Sequence, residues 1–448
     1  MNKLQQLYIH ILTPVAGVME KTPLGSQGRQ RGIGICSFLL AAVFLIQYPY
    51  RYSPWPAVSY PNNATAWVLI GSVLLVIIIV LSVEKGMKPL KSCKVFGVAF
   101  IGTAALILAS SFLHYIGEGW RPFALSMLIV FPVFYLVYMG TGQWEAVFKA
   151  FSWGLMIYGY TLVVSSLIIN PPDLDNPVSR YTGMTGNAAY FAMSMMPAVV
   201  GGLYLAIKCR SKSIKISALL LVCLATLFLV LTGTRAALSG AVFAEIVAVI
   251  IVMKLRRHGK EEHDSSGRKN VYRGLIIAVV AVIVVLLLLL SDAGKALLEY
   301  FSRFDMTGKT LNRFLAGRWD LWVEAFSRLN FIGHDYSTDP LIINDKYMYG
   351  THNFPLEVAY RSGIIAGVFY LAMEILCLAF LFGRLFKKGT VKAEHIFPCL
   401  IIPAFFAVSM FEWDLRMFSA LHVLCFFISL GPVMFKKDSG PENRDIIP

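Results

Sequence analysis

Long apolar runs alternate with short polar intervals along most of this sequence of 448 residues. A helix needs about 20 mainly apolar residues to cross the hydrocarbon core of a bilayer, and runs of that order recur through the chain. The pattern therefore predicts an all-α polytopic membrane protein with about 12 transmembrane helices. The predicted spans are 33–49, 66–83, 95–113, 123–140, 150–169, 188–206, 216–232, 236–253, 274–291, 355–382, 398–413 and 417–435.

One polar interval, 292–354, is much longer than the others and concentrates cations, aromatic residues and a histidine. Apolar residues between Arg318 and Phe326 recur at helical spacing, which predicts a short amphipathic helix lying on the membrane surface. We expect any chemistry to be located in this interval. The apolar positions of the predicted helix are Leu321, Trp322, Ala325 and Phe326.

These features divide the chain into five segments in order. They are a cytoplasmic N-terminal segment (1–32), transmembrane helices 1–9 (33–291), a long extracytoplasmic loop (292–354), transmembrane helices 10–12 (355–435) and a cytoplasmic tail (436–448). The halves of the sequence show no internal repeat, so a duplicated architecture has no support.

The basic residues are divided unequally between alternate loops. The loops of one set carry 27 Lys and Arg and those of the other carry 12, of which seven lie in 292–354. Because cytoplasmic loops of membrane proteins collect basic residues, we expect both termini in the cytoplasm and 292–354 outside.

Composition agrees with a membrane protein and excludes several other classes. The chain is 57% hydrophobic and only 15% charged, too apolar to cover a soluble surface of its size. The net charge of +14 has a topological explanation, and no basic-aromatic motif suggests nucleic acid. The seven cysteines lie in apolar runs or predicted cytoplasmic loops, so we expect no disulfides. The first thirty residues lack the pattern of a cleavable signal peptide.

Arginines at predicted interfaces are the first candidates for chemistry. Arg235 follows Thr232-Gly233-Thr234, a turn so tight that the guanidinium is expected at the outer interface. There it could anchor the helix, or face a cavity and bind phosphate through two hydrogen bonds. Arg313 and Arg318 have the same alternatives, with Arg318 as an anchor pairing with Asp320 or Glu324.

His352 lies between Thr351 and Asn353, directly before a predicted span. A histidine at such a position is commonly a cap or a structural residue. A neutral imidazole can also take a proton from a sugar hydroxyl, with Asn353 orienting the ring, a substrate or the turn. His334 lies in an apparent turn and is a weaker candidate.

Metal and nucleotide-sugar sites are not predicted. Histidines and cysteines do not occur at ligand spacing, and Asp173-Leu174-Asp175 lies in a proline-rich turn. Arg180 and Asn187, in the stretch that precedes a middle helix, are possible members of a second polar rim.

The order of these motifs resembles the O-antigen ligase and O-antigen polymerase superfamily of the bacterial envelope. The resemblance is strongest over about 225–370, although Thr185-Gly186-Asn187 stands where the family usually has Asn-Pro-Asn. The motifs are Thr232-Gly233-Thr234-Arg235, Arg318-x-x-Leu321-Trp322 followed by Gly333, and Thr351-His352-Asn353 followed by Gly363 and Gly367.

Membership would imply a metal-independent, inverting glycosyltransferase without a cofactor, in the bacterial cytoplasmic membrane with its site on the extracytoplasmic side. Its donor would be a glycan on undecaprenyl pyrophosphate and its acceptor a hydroxyl of another glycan. The resemblance makes His352 the essential histidine, and Arg235 and Arg318 the arginines that hold the donor pyrophosphate. Possible substrate-binding residues are Arg313, Arg180, Asn187, Asn353 and Trp322. Membrane lipids and a chain-length regulator are the implied partners.

The superfamily contains polymerases and ligases, which differ in the acceptor. We favour a polymerase, which extends a carrier-linked glycan, with a ligase that transfers to lipid A core or another terminal acceptor as the alternative. A polytopic transporter or flippase fits less well because the spans carry few charges and no duplication is visible. The related peptidoglycan polymerases share the carrier lipid, but their acidic outer-loop signature is not evident here.

The predicted sidedness can be tested by cysteine labelling in intact cells. A Ser337→Cys variant should react with a membrane-impermeant maleimide, whereas Ser265→Cys should react only after permeabilisation, because the two positions lie on opposite sides of the membrane. The unsubstituted chain reports the reactivity of the native cysteines. The reverse pattern would contradict the whole topology.

Overall fold

The computed structural model describes most of the chain, and helices dominate it. The described residues are 2–20, 25–42, 44, 60–82, 91–113, 144–172, 180–260, 317–335, 339–343, 346–348, 350–387, 391–412 and 421–436. The helices are α1 (Asn2–Glu20), α2 (Gly25–Ala42), α3 (Tyr60–Ser82), α4 (Lys94–Leu113), α5 (Trp144–Ile169), α6 (Ala188–Lys208), α7 (Lys212–Thr232), α8 (Arg235–Lys260), α9 (Arg318–Ser327), α10 (Phe354–Ser362), α11 (Ile364–Phe386), α12 (Ala393–Ser409), α13 (Leu421–Ser429) and α14 (Gly431–Met434).

Strands are short and form two small antiparallel pairs. Strand β1 (Lys91–Ser92) pairs with β4 (Phe435–Lys436), and β2 (Leu341–Ile343) pairs with β3 (Lys346–Met348). A single 3-10 turn is described at Gly183–Thr185. The prediction of an all-α membrane protein is therefore confirmed in its class.

Five described helices are long and apolar enough to cross a membrane: α5, α6, α7, α8 and α11. Helix α6 is the central one, since 83% of its most apolar stretch is buried inside the protein, against 39–50% for the other four. It packs against α5, α7, α8, α12 and α13. Helices α7 and α11 instead leave much of their apolar surface exposed, as expected for surfaces that face lipid.

The total of twelve spans stays a prediction. Helices α2, α3, α4, α12 and α13 overlap predicted spans, but 123–140 and 274–291 lie outside the described residues. Two predicted boundaries differ clearly. Helix α1 occupies a segment for which we predicted no element, and the span predicted at 355–382 is divided into α10 and α11.

Gly363 causes that division. Its φ of 89° and ψ of 154° are incompatible with a continuous helix, and a Cβ at this position would overlap the carbonyl oxygen of Phe331. The Ile364 amide instead donates to the Asn330 carbonyl at 2.9 Å, and the His334 amide donates to the Tyr360 carbonyl at 2.8 Å. Helix α10 is thus tied to the long loop, and the span proper begins at α11.

Contacts between loops agree with the alternation from which the topology was predicted. Loops of the basic-rich set meet one another: Lys208 pairs with Glu145 at 2.7 Å, and β1 pairs with β4. Loops of the other set also meet, because Arg180 Nη2 donates to Thr234 Oγ1 at 2.9 Å. The described residues thus form two layers of loops, and which layer is cytoplasmic remains the prediction made above.

Lys254 joins two helix ends in the basic-rich layer. Its ammonium donates to the carbonyls of Arg384, Leu385 and Lys387 at 3.2, 2.7 and 2.7 Å. These carbonyls end α11 and have no partners within that helix, so a cation there satisfies them and interacts well with the helix dipole. The contact fixes the C-terminal part of α8 against the C-terminal end of α11.

The division at Gly363 can be tested by substitution. Gly363→Ala should destabilise the protein by about 2 kcal/mol or more, because the Cβ strains a positive φ and meets backbone. Gly383→Ala, in the same helix α11, is the matched control, since nothing lies within 4 Å of the added atom. The control should be neutral or slightly stabilising. Thermal melting of both purified variants in detergent decides, and equal melting temperatures would contradict the assignment.

Candidate active site

Helix α9 confirms the amphipathic helix predicted from Arg318 onward. Gly317, with a φ of 80°, precedes its first residue Arg318. Leu321 and Ala325 are buried in a small cluster with Leu341, Leu356 and Tyr360. A second apolar face is exposed, and consists of Trp319, Val323 and Phe326. The helix therefore packs on the protein by one apolar face and leaves another exposed, and its place on the membrane surface stays a prediction.

The Thr351–Asn353 segment is fixed by hydrogen bonds from three sides. Trp322 Nε1 on α9 donates to the Thr351 carbonyl at 2.9 Å. Asn353 caps α10, its Oδ1 accepting from the Leu356 amide at 3.0 Å, and its Nδ2 donates to the Met410 carbonyl at 3.3 Å. The hydrogen bond from Trp322 and the cap by Asn353 hold the backbone on either side of His352. Both thus position His352.

Glu357 holds the same segment from beneath. Its carboxylate is fully buried, accepts from the Thr351 amide at 2.7 Å and pairs with Arg361 Nε at 2.5 Å. A buried carboxylate needs such partners to offset its lost hydration. Arg361 falls inside the predicted span 355–382. In the structure it lies on α10 and is the i,i+4 partner of Glu357.

His352 has a φ of 51°, the left-handed region that most non-glycine residues avoid. Histidine and asparagine are among the side chains that tolerate this conformation best. The bonds on either side of the residue hold the backbone in this shape. Strained backbone of this kind is frequent at functional sites.

The turn before Arg235 is braced by Arg180. Gly233 ends α7 with a φ of 62°, and the Thr234 amide donates to Thr232 Oγ1 at 3.1 Å. Arg180 Nε donates to the Thr232 carbonyl and Arg180 Nη2 donates to Thr234 Oγ1, both at 2.9 Å. Arg180 thereby fixes the turn from which Arg235, the first residue of α8, projects.

Arg318 and His352 both lie near the Glu412 carboxylate, and Arg235 is close enough to Arg318 to act on its charge. Arg318 Nη2 lies 3.9 Å from Glu412 Oε1, and His352 Nδ1 lies 4.0 Å from Glu412 Oε2. Burial lowers the pKa of Arg318, the Glu412 carboxylate opposes this, and the charge of Arg235 lowers the pKa further. Burial and the charge of Arg318 lower the pKa of His352 to about 4. The imidazole is therefore neutral in this site at ordinary pH.

The other residues predicted as site candidates make contacts that support the fold. Asn187 caps α6, its Oδ1 accepting from the Ala189 amide at 2.8 Å. His334 stacks on Tyr360 with a centroid distance of 4.5 Å, and its Nδ1 lies 2.5 Å from Asp339 Oδ2, which fits the predicted turn. Arg313 lies outside the described residues.

Glu412 is the residue that sequence reasoning missed. It follows the apolar run of α12 directly, in Phe411-Glu412-Trp413, and the run predicted at 398–413 included it without assigning it a role. An acid directly at the end of an apolar span was the available signal. Among the described residues, no group of three or more His, Cys, Asp or Glu side chains could hold a metal ion.

Comparison with known families identifies one match. The family model described as O-antigen ligase matches residues 219–371, from α7 into α11. The matched segment contains Arg235, Arg318 and His352, whereas Arg180 and Glu412 lie outside it. The comparison with curated proteins finds no match.

The burial of His352 and the charge of Arg318 predict how the imidazole titrates. In the unfolded chain its pKa is near 6.5, and in the folded protein it is about 4, so the folded state binds fewer protons between these values. Its contribution to stability is full above pH 6.5 and is lost as the pH falls toward 4. NMR of labelled histidine, assigned with His352→Gln, should show a neutral ring at pH 5.5. A midpoint near 6.5 would contradict the described surroundings.

Proposed function

We propose that this chain, whose residues 219–371 match the O-antigen ligase family model, is a glycosyltransferase of the cytoplasmic membrane. It moves a glycan from undecaprenyl pyrophosphate to an acceptor sugar hydroxyl at the outer face. The observation that carries the proposal is the convergence of Arg235, Arg318 and His352 from three distant parts of the sequence.

The two arginines suit the leaving group. Cleavage of the bond between the anomeric carbon and phosphate leaves negative charge on the pyrophosphate. Arg235 and Arg318 can bind phosphate oxygens through paired hydrogen bonds, and the partly buried surroundings of Arg318 strengthen the interaction. These fixed cations stabilise the departing charge without a divalent metal, which stays part of the proposal.

His352 suits the acceptor. A neutral imidazole can take the proton of the attacking hydroxyl, and a base opposite the leaving group gives inversion at the anomeric carbon. Bound pyrophosphate places negative charge beside the ring. That charge opposes the effect of Arg318 and raises the pKa of His352 toward the pH at which the enzyme works. Donor binding thus converts a weak base into an effective one.

The acceptor distinguishes two activities. We favour a polymerase, whose acceptor is a second carrier-linked glycan, with a chain-length regulator as a possible partner. The description of the matched family favours the alternative, a ligase whose acceptor is lipid A core or another terminal molecule. Purified protein in nanodiscs, supplied with carrier-linked glycan alone, separates them. A polymerase lengthens the glycan under these conditions, and a ligase leaves it unchanged until the terminal acceptor is added.

The arginine roles predict the effect of a charge-conserving substitution. Arg235→Lys and Arg318→Lys should each reduce turnover on the order of a hundredfold, because an ammonium retains the charge but loses the planar pair of donors. Arg210→Lys, exposed in the opposite layer of loops, is the control and should be unaffected. Near-normal turnover of both site variants would reduce the arginines to interfacial anchors. Transfer should persist in EDTA, and its loss with rescue by a divalent cation would contradict this mechanism.

The histidine role predicts a loss confined to the chemical step. His352→Ala should bind undecaprenyl pyrophosphate nearly as well as the wild type but transfer glycan on the order of a hundredfold more slowly. His334→Ala is the matched control: it should lose thermal stability, because it deletes the contacts with Tyr360 and Asp339, and retain turnover per folded molecule. The same behaviour in His352→Ala would show that His352 is structural.

A further inference from the structure

We propose, on the basis of the function proposed above, that Glu412 is a positioning residue for both His352 and Arg318. Its carboxylate orients the imidazole through Nδ1 and holds the guanidinium until the donor pyrophosphate takes its place. Glu412 lies outside the segment that matches the family model, so this role comes from the geometry of the present chain.

The backbone around Glu412 is tied to both of its partners. The Met410 carbonyl accepts from Asn353 Nδ2, next to His352. The Phe411 ring lies 6.3 Å from the ring of Trp322, on the helix that begins with Arg318. The Met410 amide continues the hydrogen bonding of α12 by donating to the Phe406 carbonyl at 3.2 Å. The backbone next to Glu412 is therefore held by α9 on one side and by the Thr351–Asn353 segment on the other.

The imidazole has a buried nitrogen that needs an acceptor. His352 Nδ1 is inaccessible to solvent and has no hydrogen-bond partner among the described residues, although the side chain as a whole is 32% exposed. Glu412 Oε2 lies 4.0 Å from it, so a shift of about 1 Å forms a hydrogen bond. Catalytic hydrogen bonds are often long before substrate binds.

This contact selects the tautomer that the reaction requires. An Nδ1–H that donates to Glu412 leaves the lone pair on Nε2, and the exposed part of the ring can face an acceptor. A base oriented by a third group is a recurring arrangement in hydrolases and transferases. Here the base is the His352 imidazole, and the group that orients it is the Glu412 carboxylate.

The same carboxylate restrains Arg318. The two side chains form an ion pair at 3.9 Å. Because only 12% of the Glu412 side chain is exposed, solvent screens this pair only in part. When pyrophosphate binds, Arg318 exchanges the carboxylate for phosphate oxygens, and Glu412 is left to His352. Loss of Glu412 should then leave donor binding unchanged or tighter while it weakens the chemical step.

The proton and electron pairs balance in this step. The acceptor hydroxyl oxygen bonds to the anomeric carbon as the bond from that carbon to the pyrophosphate oxygen breaks. The electron pair of the broken bond leaves with pyrophosphate, beside Arg235 and Arg318. The hydroxyl proton moves to His352 Nε2, and the Nδ1 proton stays on the ring, donated to Glu412. The carboxylate stabilises the imidazolium that forms.

Two substitutions separate orientation from charge. Glu412→Ala should reduce turnover on the order of a hundredfold, and Glu412→Gln, which keeps an oxygen acceptor at the same position, on the order of tenfold. Both should bind undecaprenyl pyrophosphate in nanodiscs at least as tightly as the wild type. Glu324→Gln is the control, because Glu324 is 40% exposed, pairs only with Arg328 at 3.8 Å among the described ion pairs, and should behave as wild type.

A double-mutant cycle tests whether Glu412 acts through His352. In a His352→Ala background, Glu412→Ala should cause no further loss of turnover, whereas independent effects would multiply. The acid limb of the rate profile should also move to lower pH in Glu412→Gln, since the lost anion favoured the protonated ring. The other charges near the ring, Arg318, Arg235 and the Glu357–Arg361 pair, are unchanged in that variant.

The outcomes separate this inference from the function on which it rests. If the wild type transfers no glycan from the carrier, the proposed function fails. If the wild type transfers glycan and Glu412→Gln and Glu412→Ala do so equally well, the positioning role is wrong and the function stands. Multiplicative losses in the cycle, or weaker pyrophosphate binding in well-folded Glu412→Gln, would also overturn the role.

Discussion

The buried carboxylate of Glu357 is the interaction on which the site depends. It binds the Thr351 amide and the Arg361 side chain, and the Arg361 carbonyl in turn accepts from Ser110 on α4. The left-handed backbone of His352 is thereby connected to the transmembrane bundle. Removal of one partner from a buried pair of this kind costs about 3–5 kcal/mol, because a charge remains in the interior without compensation.

The charges of the site are held in place by the contacts of Glu357. Arg235 is close enough to Arg318 for its charge to lower the pKa of Arg318, and the Glu412 carboxylate lies near both Arg318 and His352. Like charges held at such a distance repel unless an anion joins them. The two arginine side chains therefore favour an anionic ligand, and they are held in position before such a ligand binds. Pre-organised charge of this kind is the main source of transition-state stabilisation in many enzymes.

The sequence predicted the helices and singled out Arg235, Arg318 and His352, whose roles stay predictions, since both signals are local. Apolar runs specify spans, and Arg235, Arg318 and His352 stand out in polar surroundings at their ends. The division at Gly363 was not predictable, because it depends on the close approach of Phe331 from a distant loop. Glu412 was missed for a similar reason: its partners lie about 60 and 90 residues earlier in the chain, and only the packing of α9 and α12 brings them together. Arg180 and Trp322 were predicted as possible substrate contacts, which stays a prediction, and their hydrogen bonds to distant backbone could not be read from the sequence.

The backbone of His352 has a practical consequence for trapping the enzyme with its donor. A φ of 51° is accepted by asparagine at little energetic cost, whereas alanine and β-branched residues are strained there. Asparagine would therefore preserve the turn between Trp322 and Asn353 while it deletes the basic ring. Under the proposed function, the two arginines would still bind the carrier pyrophosphate in such a protein. An enzyme of this kind, intact in shape but without its proton acceptor, would accumulate the donor complex in a membrane and make it accessible to structure determination.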